Sequence, residues 1–158
     1  MIVKRLMIIF IILSSNTNLF GQSAKQLDYF LILTLNVSDL QDYMINSKFE
    51  FQGIETDDFA ERYTWTYDRN IKNASLAQGF FTLNLYKEGT KGFSFQSTNV
   101  EDYKRFKNNI KKKGLILIKS ENIDGKLVER FSNSIYECRI WTSLVKTNTI
   151  YEMNLDMN

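Results

Sequence analysis

Two glutamates, one cysteine and a short run of aromatics are the side chains whose type and spacing could do chemistry in this chain. Glu61 and Glu129 each lie in a stretch that alternates polar and apolar residues, and each shares a face with apolar neighbours. Two carboxyls roughly 5–10 Å apart can cleave a glycosidic bond, one as acid and the other as base or nucleophile. That pattern makes Glu61 and Glu129 candidates for an enzyme acting on cell-envelope glycan. The competing expectation is that each carboxylate stands at a sheet end and reaches water. Cys138 is the single cysteine, so it can form no disulfide within the chain. A thiolate nucleophile usually relies on a neighbouring histidine, and the chain contains none. The alternating pattern around Cys138 predicts a small buried hydrophobe. Tyr63, Trp65 and Tyr67 recur at every second residue. An aromatic ladder of that kind can stack on a sugar or a peptide, but strand spacing predicts the core face of a sheet.

The other constellations exclude more than they offer. The basic run from Lys104 to Lys113 would need stacking aromatics to serve as a nucleic-acid patch. Tyr103 and Phe106 fall instead on the apolar stripe of a helix. Glu101 and Asp102 at its start and Lys111 to Lys113 at its end complement the helix dipole, worth about 0.3–1 kcal/mol each. The run therefore predicts a solvated helix end, with no nucleic-acid partner. Without histidine, with one isolated cysteine and no D-x-D-x-D-G loop, no metal site is expected; Asp57-Asp58 is a lone acidic pair in a turn. Gly79, Gly89 and Gly92 do not form a phosphate-cradling loop. No catalytic residue, metal or other cofactor is expected, and the protein is expected not to be an enzyme.

The elements that hold these side chains begin after a leader. Lys4 and Arg5 precede the apolar run Leu6 to Leu13, and the chain then turns polar toward Gly21 and Gln22. This is the layout of a secretory signal peptide over 1–22. Eight apolar residues span about 12 Å as a helix, well short of the roughly 30 Å hydrocarbon core, so no stable membrane span is expected after cleavage. The expected address is the periplasm or the medium. Removing the leader takes Lys4 and Arg5 with it and cancels the formal charge of +2. Of the remaining charges, Ser23 to Thr98 carries 7 basic and 10 acidic residues, and Asn99 to Asn158 carries 11 and 8. An exported chain of no net charge has no electrostatic reason to seek nucleic acid or anionic membrane.

Residues 23–158 have the length and the globular composition, 44% hydrophobic and 24% charged, of one domain. In Ser23 to Leu35, Leu27, Phe30, Leu31 and Thr34 fit the inward spacing of a helix, the reading preferred here, while L-I-L-T-L also fits a strand. Asn36 or Ser38 caps the next helix, with Gln41 placed to complete a capping box and Val37, Leu40, Tyr43 and Met44 on one face. Strands are predicted at Phe49–Gln52, Phe59–Tyr67, Phe80–Lys87 and Gly92–Ser97. Asn99 caps a further helix whose stripe is Val100, Tyr103, Phe106 and Ile110, stopped by Gly114. Leu115 to Ile118 is a continuous apolar run and predicts a strand buried on both faces. A D-G hairpin at Asp124-Gly125 leads to strands at Leu127–Ser132, Tyr136–Val145 and, past a turn at Thr147-Asn148, Ile150–Leu155.

Helix, strand, hairpin, strand and strand thus recur in the same order. Asn36-Val37 returns as Asn99-Val100, and Glu61-Arg62-Tyr63-Thr64 as Glu129-Arg130-Phe131-Ser132. The expected fold is α+β, with two tandem αββββ repeats at about 36–98 and 99–158 forming antiparallel sheet with helices packed on one face. In leader, size and paired helix-plus-sheet units the chain resembles small exported bacterial proteins. Its layout is similar to that of the beta-lactamase inhibitor proteins, which grip another protein with a sheet. That resemblance implies a fold and a mode of binding, and no inhibitory residue carries over. The expected role is a non-enzymatic module binding another protein of the envelope or exterior through its sheet or hairpin loops, with an immunity or inhibitor protein against a toxin or hydrolase as its narrower form. Such a module is expected to expose an apolar patch of more than a few hundred Å² on one sheet face. A small-ligand carrier with the aromatics around a cavity is a third expectation.

Overall fold

The computed structural model describes residues 27–69 and 77–158, and the expected leader lies outside them. A short helix, α1 (Tyr29–Thr34), opens on the Asp28 carboxylate, which accepts the backbone N–H groups of Phe30 and Leu31. Its buried residues are Tyr29, Phe30, Ile32 and Leu33, whereas Leu31 and Thr34 face out. The expected stripe was therefore rotated: Tyr29 heads the inward face because its ring packs on Phe93, Phe95 and Phe106.

Asn36 caps α2 (Val37–Asn46) by accepting the Asp39 N–H, and Asn99 caps α3 (Val100–Lys112) by accepting that of Glu101. Ser38 therefore lies inside the first turn, and no capping box with Gln41 forms. Leu40 and Met44 of α2, and Phe106 and Ile110 of α3, point inward. Val100, expected on the stripe, is exposed. Both helices end in the same way. The Phe49 N–H donates to the Met44 carbonyl and the Lys48 N–H to Ile45, while the Leu115 N–H donates to Ile110 and the Gly114 N–H to Lys111. These are Schellman ends, each with its buried hydrophobe just past the turn. The left-handed residue is Gly114 in one and Lys48, at φ 64°, in the other.

Eight strands form one antiparallel sheet among the described residues: β1 (Glu50–Thr56), β2 (Ala60–Arg69), β3 (Ala77–Tyr86), β4 (Lys91–Ser97), β5 (Ile116–Ile123), β6 (Lys126–Ser132), β7 (Tyr136–Val145) and β8 (Asn148–Met157). Their order across the sheet is β1-β2-β3-β4-β8-β7-β6-β5. Each run of four is a meander, and the two meanders join along β4 and β8, from Gly92 opposite Asp156 to Ser97 opposite Tyr151. The D-G hairpin is present, with Asp124 and Gly125 both at positive φ as a two-residue turn of this type requires. The last turn falls at Lys146-Thr147, one residue earlier than expected, and Lys146 takes the left-handed conformation.

Alternation then sorts every strand into two faces. Trp65, Tyr67, Phe81, Leu83, Phe93, Phe95, Phe131, Cys138, Ile140, Met153 and Leu155 all point to one face. There they meet the buried residues of the three helices in a single core cluster. Burying side chains as large as Trp65 or Phe93 contributes about 1.5–3 kcal/mol each. The Tyr63-Trp65-Tyr67 ladder belongs to this core.

Leu115 to Ile118 departs from expectation. Leu115 is buried, but Ile116, Leu117 and Ile118 are 66%, 52% and 61% exposed, because β5 is the sheet edge and has one neighbour only. A run of apolar residues reads alike for a central and an edge strand. The edge strands β1 and β5 each carry a bulge, between Phe51 and Gly53 and between Leu117 and Lys119. Phe51 lies opposite Trp65 and Leu117 opposite Phe131. Counted from the bulges, Glu129 corresponds to Tyr63, so the two E-R-aromatic stretches sit two residues out of step.

Candidate functional site

The two glutamates do not meet. β2 and β6 stand five strand steps apart, about 24 Å at the usual spacing. Glu61 is exposed and takes a hydrogen bond from the Tyr63 hydroxyl. Glu129 is only 9% exposed, and its charge is matched: Lys107 Nζ lies 2.9 and 3.0 Å from its two oxygens, and the Tyr103 hydroxyl donates at 3.0 Å. Tyr103 in turn stacks on Tyr151 at 4.6 Å. Glu129 on an apolar face is thus a tie between α3 and the sheet. Other cations of the basic run are also engaged, Lys104 with Glu101 and Arg105 with Asp102. Cys138 is fully buried, and burial pushes its thiol well above the ordinary range.

A second polar knot lies inside the core. Asp102, fully buried at the start of α3, accepts hydrogen bonds from the Tyr67 hydroxyl and from Ser97 Oγ at 2.8 Å. Ser97 Oγ also accepts the Asn99 N–H, so the knot ties the end of β4 to α3. Burial, reinforced by the bond to Asp102, raises the Tyr67 hydroxyl far above its usual value. Gly79 leaves the space this tyrosine fills, since a Cβ there would lie 2.2 Å from its ring.

The other sheet face carries the groove that fits a site best. It measures about 290 Å³ and lies over β3, β4, β8 and β7, where the two meanders join. Asn84, Gly92, Asp156 and Glu137 form one row across it; Thr82, Ser94, Asn154 and Arg139 form the next; Phe80, Gln96, Glu152 and Trp141 form the third. Asp156 lies over Gly92, where a Cβ would sit 1.9 Å from Oδ1. Tyr86 donates its hydroxyl to that oxygen at 3.2 Å. Burial raises the Asp156 carboxyl above the usual range and the Glu137 charge adds to the rise, while the Tyr86 bond and Arg139 oppose it. Arg139 is already held by Glu137, through Nε at 3.1 Å and Nη2 at 2.9 Å. Neither Asp156 nor Glu152 has an ion-pair partner among the described residues. Asn84 is only 9% exposed, and its side-chain amide lines the groove with no hydrogen bond to a described residue.

Sequence reasoning missed this site because its residues sit at positions that read as solvent-facing, with Tyr86 and Asp156 70 residues apart. The one available signal was glycine within a strand, at Gly92, which marks a close approach. Nor does the open face bear the expected apolar patch. Its residues are mostly Thr, Ser, Asn, Gln and charged, and many of the exposed apolar side chains lie at edges and ends, among them Ile54, Phe59, Ile116 to Ile118 and Leu144. No described helix is long and apolar enough to cross a membrane. No family model matches the chain, and no curated protein or solved structure matches it.

Proposed function

We propose that the protein is an exported, non-enzymatic module that binds another protein through the open face of its sheet. One observation carries this reading: the three described helices and the apolar cluster lie on one face, and no described helix covers the other, which holds the groove. Isolated aromatics (Phe80, Tyr86, Trp141) and Arg139 set among polar residues suit a partner that binds and leaves, since such interfaces are about as polar as ordinary surface and rich in Tyr, Trp and Arg. Export rests on Lys4, Arg5 and the apolar run Leu6 to Leu13, with the periplasm or the medium as the address.

The narrower form of the reading is an immunity or inhibitor protein that blocks a toxin or hydrolase. The similarity in layout to beta-lactamase inhibitor proteins, which hold their target on a sheet, supports it as analogy. The same reading takes the two halves as a tandem duplication, supported by the matched Schellman ends and the bulge in each edge strand. A glycan-acting enzyme using Glu61 or Glu129 gains no support from their separation.

A photo-crosslinking residue at Thr82 on the open face, compared with one at Asn109 on α3, tests the proposal in envelope extract. A discrete adduct from position 82 alone is expected, and the partner, once identified and purified, should bind the protein with the same residues in contact. Equal labelling from both positions, or none, sinks the reading.

A further inference from the structure

We propose that the groove on the open face is a subsite for one basic side chain of the partner, a guanidinium or ammonium group, with the Asp156 carboxylate as counter-ion and the Asn84 amide as second acceptor. This deepens the protein-binding reading and rests on it.

Four features of the groove argue for a cation. Its acids outnumber its bases: Glu137 and Arg139 occupy each other, which leaves Asp156 and Glu152 without basic partners among the described residues. The Asp156 carboxylate is half-buried and takes one hydrogen bond, from the neutral Tyr86 hydroxyl, while Arg139 acts on it only as a nearby charge held by Glu137. A desolvated carboxylate in that position gains from a charged donor, because charge-assisted hydrogen bonds are about twice as strong as neutral ones. Asn84 supplies the independent sign of a ligand. The residue is 9% exposed, and its amide lines the groove and makes no hydrogen bond to a described residue, so it offers a carbonyl acceptor and two N–H donors there. Trp141 borders the same space, and an indole is the best aromatic surface for a cation. A neutral sugar would use the indole and the amide but would bring Asp156 no charged donor.

The test is a titration of the isotope-labelled protein, followed by NMR, with N-acetyl-arginine amide and with its uncharged isostere N-acetyl-citrulline amide. Saturable shifts confined to residues around Asn84, Asp156 and Trp141 are expected with the arginine probe, at least tenfold weaker with citrulline. Asp156→Asn should weaken arginine binding by at least tenfold and leave the rest of the spectrum unchanged. Glu152→Gln should weaken it less. Equal binding of the two probes, an unchanged affinity in Asp156→Asn, or shifts produced by a neutral oligosaccharide and not by arginine would each overturn the inference. If Asp156→Asn does not fold, the comparison of arginine with citrulline decides alone. A cross-link that persists at Thr82 while arginine binding is absent overturns the cation subsite and leaves the protein-binding reading standing. Arginine binding without any open-face adduct does the reverse.

Discussion

Asp57 and Asp156 depart from the ordinary carboxylate range in opposite directions, and each has a distinct effect on stability. The N–H groups of Phe59 and Ala60, followed by the Arg62 guanidinium, hold Asp57 down at about 2. Its contribution to folding is therefore complete above the unfolded value near ~4 and disappears as the pH falls toward 2. Asp156 is raised, first by burial, so the folded state holds its proton more tightly than the unfolded chain. Its contribution is complete below ~4 and is lost as the pH rises through the folded value. A carboxyl 13C titration should give a midpoint about 2 for Asp57 and one above the ordinary aspartate range for Asp156, and Asp156→Asn should be no less stable than the parent at pH 7. The two glutamates separate in the same way by surroundings. Glu129→Gln leaves Lys107 half-buried without its counter-charge and should cost about 1–3 kcal/mol in urea unfolding, whereas Glu61→Gln should stay within about 0.5 kcal/mol. Glu129 on an apolar face was legible as odd; its partner was not, because Lys107 reaches it from a helix 22 residues earlier in the chain.

Helix ends and hairpins were legible because their signals are local: Asn99 as a cap and Asn36 as one of two candidates, Gly114 as a stop, Asp124-Gly125 as a two-residue turn. What was not legible is whether a strand has one neighbour or two, since that is decided by pairings far along the chain. β5 shows the cost of the ambiguity. Its exposed Ile116-Leu117-Ile118 lies on an edge with free backbone groups, relieved by the bulge and by Lys119. Ile118→Lys should therefore lower concentration-dependent association in light scattering without changing the urea midpoint by more than about 0.5 kcal/mol. α2 and α3 differ at one telling position. α3, with 13 residues against 10, ends on glycine, while α2 ends on Lys48 held left-handed. Lys48→Gly removes a side-chain clash worth about 1–2 kcal/mol at the cost of a more flexible unfolded chain, so a net gain of about 0.5–1 kcal/mol in thermal or urea unfolding is expected.

At the scale of the whole molecule the two meanders share one core. Tyr29, ahead of the first meander, packs on Phe93 and Phe95 of β4 and on Phe106 of α3, and β4 pairs with β8 along the seam. Neither half can lose its interior alone, so unfolding should be a single transition. Fluorescence in a Trp141→Phe background, which leaves Trp65 to report the first half, and thiol labelling of buried Cys138 in the second should give the same urea midpoint. Separate midpoints would mean that the halves open independently. The period-two pattern foretold two faces and eight strands, but not that the second meander would run back to lay β8 against β4, a pairing with no local signature. That pairing also created the groove, which is why its residues could not be assembled from the sequence. The pleat has one more consequence. Every codon for an outward side chain is flanked by codons for inward ones, and the outward side chains of the central strands make few bonds that the interior relies on. Thr82, Ser94 or Gln96 can therefore be rewritten one at a time while the hydrophobic half of the molecule stays as it was, which makes this scaffold suited to laboratory diversification.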